Sequence, residues 1–358
     1  MKTIILDISE YTEETLRNAK VFSDKSAGAI VADANEKIFR AAEVLRKGGL
    51  VAFPTETVYG IGADALNEEA VRRVYEAKGR PSDNPMIVHI ARASDIALLT
   101  DSLSPQIVKM ADMFWPGPLT MVLKKREDVP GRVSGGLDTI GIRLPDSPAA
   151  LELIRLAGTP VAAPSANISG SPSPTKADHV VSDLEGKVDV ILIGPECRIG
   201  IESTVVDMTT DPIQILRPGF ITKEDIEAAL DTYVEIDPAL YENDSLQKLS
   251  APRSPGTKYP HYSPKAKMLV IEGAEEKVRS EIIRLKGMNE KLGLKVGVIH
   301  FNERDYITAA HDFYASLRDF DDEEVDLIIA GALPEDDGLG FAVMNRMMKA
   351  AGYNVVRV

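Results

Sequence analysis

The sequence predicts an α/β protein in two parts: a mixed, twisted sheet with flanking helices over residues 1–230, and a smaller parallel-sheet domain over 265–358. Three observations carry this. The chain has 358 residues, more than one ordinary core organises. Short apolar runs of strand length alternate with helix-period stretches along most of it. The alternation fails once, over 231–264, where a linker is expected.

The first unit is a helix followed by a strand. Ile38, Ala42 and Leu45 recur at helical spacing, and Gly48-Gly49 ends the helix after Arg46 and Lys47. Residues 50–53 read as a buried strand that Pro54 stops. A second helix has Asn67 as its cap, Glu68 and Glu69 in its first turn, and Val71, Val74 and Tyr75 inside. Further strands are expected at 86–90, 119–123, 139–144, 161–163, 188–193, 203–208 and 213–216, with helices near 104–113, 149–156 and 177–184. A helix opening at Thr222 closes the domain near Leu230. Beyond Pro264, strands at 267–271, 295–301, 325–330 and 354–358 alternate with helices at 275–288, 309–317 and 339–351. Strands joined by helices imply a mostly parallel, Rossmann-like sheet. Its first turn lacks Gly-x-Gly-x-x-Gly, so a dinucleotide site there has no support.

Composition narrows the function classes. Apolar residues make up 44% and charged residues 27%, as in ordinary globular proteins. The net charge of −14 argues against a broad nucleic-acid footprint but leaves room for a local basic pocket. The single Cys197 excludes an internal disulfide and a Cys-based zinc site. The longest apolar runs, 188–193 and 325–330, are strand-length, and residues 1–10 do not form a secretory signal. A cytoplasmic protein is expected, with neither membrane nor DNA as a partner.

Four segments place polar residues beside strand ends, where open α/β sheets bind ligands. Pro54-Thr-Glu-Thr-Val-Tyr-Gly-Ile-Gly62 follows a buried strand, and reads as a ligand loop or as a turn with threonine caps. Lys78-Gly-Arg-Pro-Ser-Asp-Asn-Pro85 leads into the strand holding His89, and reads as a helix C-cap or as a wall for triphosphate. Thr139-Ile-Gly-Ile-Arg-Leu-Pro145 puts Arg143 in an apolar strand, either in a structural ion pair or as a bidentate clamp on an anion. Pro160-Val-Ala-Ala-Pro-Ser-Ala-Asn-Ile-Ser-Gly-Ser-Pro-Ser-Pro-Thr175 offers backbone and hydroxyl donors, as anion loops and ordinary loops both do. Glu202-Ser-Thr-Val-Val-Asp207 and Leu216-Arg-Pro-Gly219 add Ser203 and Arg217 at strand ends.

Together these segments resemble one family. Lys78-x-Arg80 followed by Ser165-x-Asn167 is similar to the signature tetrad of YrdC-type threonylcarbamoyl-AMP synthases, and the other segments resemble that family's in order. The resemblance covers roughly residues 36–222 as a catalytic domain, and the remainder resembles the family's long form, with a linker and an appended Rossmann-like domain. The resemblance implies an ATP-dependent enzyme. L-Threonine and bicarbonate would form a carbamate that attacks the α-phosphate of ATP, and threonylcarbamoyl-AMP would pass to a downstream transferase acting on tRNA. It implies Lys78, Arg80, Ser165 and Asn167 as catalytic residues. ATP would be held by those four with Asn84, Thr139, Ser173, Arg217 and Tyr262. Thr57, His89, Arg143, Ala163 and Ser203 would hold threonine. Magnesium is expected with ATP, but no carboxylate pair marks its ligands.

The segment Ser254-Pro-Gly-Thr-Lys-Tyr-Pro-His-Tyr-Ser-Pro264 departs from the family pattern, with Thr257 and Pro260 replacing a methionine and a basic residue. Its cluster of Lys258, Tyr259, His261 and Tyr262 suggests a lid over the nucleotide. Three competing readings stand beside the enzyme. A non-catalytic RNA- or tRNA-binding module is disfavoured by the charge. A carbamoyl-transferring hydrogenase-maturation enzyme would need Cys-rich zinc motifs that the chain lacks. A ligand-sensing regulator is the third.

Overall fold

The computed structural model describes residues 2–18, 28–241, 252–253, 262–302, 304–334 and 338–358. Among them, strands β1 (Ile4–Asp7), β2 (Val51–Phe53), β3 (Gly60–Asp64), β4 (Ile87–His89), β5 (Leu119–Lys124), β6 (Thr139–Arg143), β7 (Val161–Ala162), β8 (Val190–Ile193), β9 (Thr204–Asp207), β10 (Ile213–Arg217) and β11 (Val234–Ile236) build one mixed sheet. Its order is β1-β8-β2-β3-β7-β4-β6-β5-β9-β10-β11. The expected α/β class stands. Helix Glu68–Lys78 is capped as anticipated: the Asn67 side chain accepts from the amides of Glu69 and Ala70, and Gly79 closes the helix in the left-handed region at φ 61°.

Side-chain alternation explains how this sheet makes a site. On one face of β4–β6–β5–β9, Val88, Ile140, Ile142, Met121, Leu123 and Val206 join the main core. On the other face, Ile87, Val122 and Val205 form a small apolar floor with Leu216. Arg143 pairs with His89 on β4 and Thr120 on β5, so three polar side chains share that second face.

Three elements differ from expectation. β3 begins at Gly60, inside a segment read as a loop, because two glycines within a strand remove its apolar signature. A side chain at Gly62 would meet Phe53 at 2.7 Å, so that strand needs the glycine. β1 was not anticipated either: it is a sheet edge on which only Leu6 is buried. The third is β11, which pairs in parallel with β10 and extends the large sheet to Ile236, so the break expected from Asp231 starts later.

The C-terminal strands β12 (Lys267–Glu272), β13 (Val296–Ile299), β14 (Leu327–Gly331) and β15 (Val355–Arg357) form a separate sheet, all parallel, ordered β13-β14-β12-β15. Ile271 and Ile329 pack on helix Glu275–Lys291. Val270, Ile328 and Ala330 pack on helices Tyr306–Asp322 and Leu339–Ala350 across the opposite face. That is the doubly wound arrangement expected of strands joined by helices. No helix among the described residues is long and apolar enough to cross a membrane.

Candidate active site

Arg143 and His89 on the second sheet face line a cleft with the loops at 55–60, 163–165 and 202–203. The structure brings Thr57, Arg80, His89, Arg143, Ala163 and Ser165 to its walls, together with Ser203, Arg217 and Tyr262. Lys78, Asn84, Asn167 and Ser173 stand one layer behind. Thr139 lies on the same strand face as Arg143 but at the other end of β6, about 13 Å along, and it does not line the cleft.

Lys78 is buried at 1% exposure. Its Nζ donates to the carbonyls of Asn167 (2.6 Å) and Ser165, so it shapes the loop after β7 from below. Burial, and then Arg80, hold its pKa well below the ordinary lysine value. Arg80 donates to Asn84 Oδ1 and to the Pro85 carbonyl, each at 2.7 Å, and burial lowers its pKa to about 10. Asn84 is thus a brace for Arg80. Asn167 Oδ1 accepts from Ser165 Oγ at 2.5 Å, and its Nδ2 donates to the Ile168 and Ser171 carbonyls, which folds the loop on itself.

On the opposite wall, Arg143 donates to Thr57 Oγ1 (2.9 Å) and the Gly117 carbonyl (3.2 Å). Its Nη2 lies 2.6 Å from Glu56, whose side chain is fully buried. Arg143 thus stands in an ion pair, one of the two roles its place in an apolar strand allowed. His89 is buried, its Nδ1 has no hydrogen-bond partner among the described residues, and burial and Arg143 push its pKa down to about 3. It is therefore a neutral imidazole at physiological pH.

The third wall is built by a bulge. Strand register shifts between Ile215 and Arg217, which turns Arg217 into the cleft. Arg217 donates from Nε to the Ser203 carbonyl (3.0 Å) and from Nη2 to Ser203 Oγ (3.1 Å), and Ser203 Oγ also pairs with Thr120 Oγ1 at 2.8 Å. Gly219 permits this turn, because a Cβ there would collide with Thr204. Glu202 is the cleft carboxylate that the sequence reading gave no role. It accepts from Ser173 Oγ (2.6 Å), from Tyr314 Oη (3.0 and 3.1 Å) and from Arg346 Nε (3.2 Å). Burial raises its pKa, but Arg346, Arg217 and Ser173 outweigh it and leave the carboxyl below its ordinary range.

Tyr262 is seated in the cleft at φ 66°, its ring 5.2 Å from that of Tyr314, and the next residue's amide donates to the Gly170 carbonyl. Arg253 is held by Gln214 (2.7 Å) and Asp237 (2.6 Å). The rest of the expected lid, with Thr257, Lys258, Tyr259, Pro260 and His261, lies outside the described residues. The donor set does not fit a protein cage for magnesium. No group of three His, Cys, Asp or Glu among the described residues could hold a metal, and Glu202 is already taken by Arg346, Tyr314 and Ser173.

Fold and cleft define a two-domain α/β protein with an arginine-lined cleft in its N-terminal domain, one wall of which is braced from behind by the C-terminal domain. Residues 43–219 match the Sua5/YciO/YrdC family profile, described as telomere recombination, and residues 221–352 match the profile described as threonylcarbamoyl-AMP synthase, C-terminal domain. Threonylcarbamoyl-AMP synthase of Pyrococcus abyssi is 47% identical over 332 residues, spanning 90% of this chain and 96% of that one. The Bacillus subtilis enzyme of the same name is 46% identical over 338 residues, spanning 90% and 94%. The crystal structure of P. abyssi Sua5 complexed with L-threonine superposes with a TM-score of 0.88 at 43% identity, covering 99% of this chain and 100% of that one. The chain belongs to the threonylcarbamoyl-AMP synthase family, in its two-domain form.

Proposed function

We propose that this chain is a nucleotidyltransferase that makes L-threonylcarbamoyl-AMP from L-threonine, bicarbonate and ATP, supplying a downstream transferase that modifies tRNA. The observation that carries the reading is one cleft that gathers two chemically different sets of side chains. Arg80, Ser165 and Arg217 offer charge and hydroxyl donors suited to phosphate, and Thr57, His89, Arg143 and Ser203 offer a set suited to a hydroxylated amino acid.

The threonine amine forms its C–N bond to the bicarbonate carbon, and water leaves. An oxygen of the resulting carbamate then bonds to the α-phosphorus of ATP as the α–β bridging P–O bond breaks, and pyrophosphate departs with that electron pair. This needs alignment and stabilised charge rather than a covalent enzyme nucleophile. Arg80 and Arg217 stabilise the phosphate charge, Lys78 fixes the loop that presents Ser165, and the neutral His89 accepts a hydrogen bond without competing for the anion. Magnesium supplies charge neutralisation when it arrives with ATP. Incubation with ATP, threonine and bicarbonate is expected to release pyrophosphate and give an AMP adduct of the threonylcarbamoyl mass, and omission of bicarbonate to stop it. ADP and phosphate as products would place attack at the γ-phosphate and overturn the assignment.

A further inference from the structure

The C-terminal domain reaches the back of the cleft wall through three buried side chains. Tyr314 and Arg318 are one helical turn apart on Tyr306–Asp322, so they share a face. Arg318 donates to the Pro172 carbonyl from Nε (3.1 Å) and Nη2 (2.6 Å), and to Asp183 (2.8 Å), whose carboxylate in turn receives the Ile168 amide (3.1 Å). Arg346, with 0% exposure, is the largest fully buried side chain described. It donates to Glu202 (3.2 Å), to the Pro218 carbonyl and to the Ala342 carbonyl (3.1 Å). The helix backbone at Ala310 and His311 also rests directly on Gly200, two residues before Glu202.

These contacts are unevenly distributed. The side-chain hydrogen bonds that Tyr314, Arg318 and Arg346 send to the N-terminal domain fall on Glu202, Pro218, Pro172 and Asp183, which bond or adjoin the segments carrying Ser173 and Arg217. Among the described residues the side chains of Thr57, Arg143 and Ser203 hydrogen-bond only within the N-terminal domain, to Thr55, Gly117, Thr120 and Arg217, while Val58 and Ile199 give this side apolar contact with the C-terminal core. Removing either member of this buried ion pair would leave the other uncompensated, so Arg346 and Glu202 fix each other's place.

We propose that Tyr314 and Arg346 are positioning residues for the nucleotide half of the cleft: through Glu202 and Pro218 they fix the wall that carries Ser173 and Arg217. The appended domain is thereby part of the ATP site although none of its atoms needs to touch ATP. The inference rests on reading the cleft as a site for ATP and threonine, and its test separates the two.

Binding of ATP and of threonine is measured separately by calorimetry on the full chain, unaltered and as Tyr314→Phe and Arg346→Lys, with melting curves as the fold control. Tyr314→Phe removes one hydroxyl and leaves the ring against Tyr262, so it decides the matter even if Arg346→Lys does not fold. The expected result is a rise of roughly tenfold in the ATP Kd, with the threonine Kd within about threefold of the parent. Turnover is expected to show the same split between the two KM values. Equal weakening of both ligands, or a folded Tyr314→Phe that binds ATP like the parent, overturns the inference alone. A parent chain that binds neither ligand overturns the reading of the cleft and this inference with it.

Discussion

Arg143 and Glu56 face each other at 2.6 Å, both buried, yet angled so that no hydrogen bond forms between Nη2 and either carboxylate oxygen. The pair has charge balance without directional bonding, so the guanidinium is aimed by Thr57 and Gly117 where it lines the cleft. Arg143→Lys is expected to weaken threonine binding about tenfold or more, since an ammonium cannot make two parallel bonds. ATP binding should stay within about threefold. Comparable losses in both affinities, read by equilibrium dialysis, would show that Arg143 serves the fold alone. Glu56→Gln leaves a buried charge uncompensated and should cost about 3 kcal/mol in a denaturant titration.

Lys78 and Arg80 should separate rate from affinity. Lys78→Met removes the ammonium beneath the Ser165 and Asn167 carbonyls, and Arg80→Ala removes the cation braced by Asn84. Both are expected to lower kcat about 100-fold, with the ATP KM within about threefold, because charge develops in the transition state. Steady-state pyrophosphate release decides it. A rise in KM at constant kcat would assign these cations to ground-state binding.

His89 predicts an acid limb in stability. Its folded pKa of about 3 lies below its unfolded value of 6.5, so the unfolded chain takes up a proton that the folded chain refuses. Stability from this group is complete above about pH 6.5 and declines as pH falls toward 3, by on the order of 4 kcal/mol. His89→Gln should flatten this limb relative to the parent in urea titrations at pH 7, 5 and 4. Parallel curves for the two proteins would mean that His89 protonates freely in place.

Gly219→Ala tests the turn that aims Arg217. The added methyl collides with the Thr204 backbone, so the turn must shift. A loss of about 1–3 kcal/mol is expected, together with weaker ATP binding. An unchanged melting temperature and ATP KM would show that the Arg217–Ser203 bonds do not depend on this close approach.

Much of this architecture was legible from local patterns, because Lys78-x-Arg80, Ser165-x-Asn167 and the parallel C-terminal strands are each written within a few residues. Their context was less legible. Lys78 and Asn84 fall in the right region, but the sequence does not show that both point at protein partners rather than into the cleft. Thr139 shares a strand face with Arg143, and only the strand's length separates them. Glu202 was invisible as a functional group because its partners Tyr314 and Arg346 lie 112 and 144 residues further along. No periodicity spans such distances, and a carboxylate before a serine gives no sign that a second domain will neutralise it.

Cys197 gives the molecule a reporter that needs no engineering. It is the only thiol in the chain, 1% exposed, with its amide bonded to the Thr175 carbonyl just past the Ser173 loop. Burial pushes its pKa well above the ordinary thiol value, so the native protein presents almost no thiolate to an attacking reagent. Labelling by a disulfide-exchange dye must therefore wait for a local opening around residues 173–202, and its rate counts those openings. The same sulfur that excluded a disulfide scaffold becomes a clock for how often this wall comes apart, readable in the unmodified protein with and without each ligand.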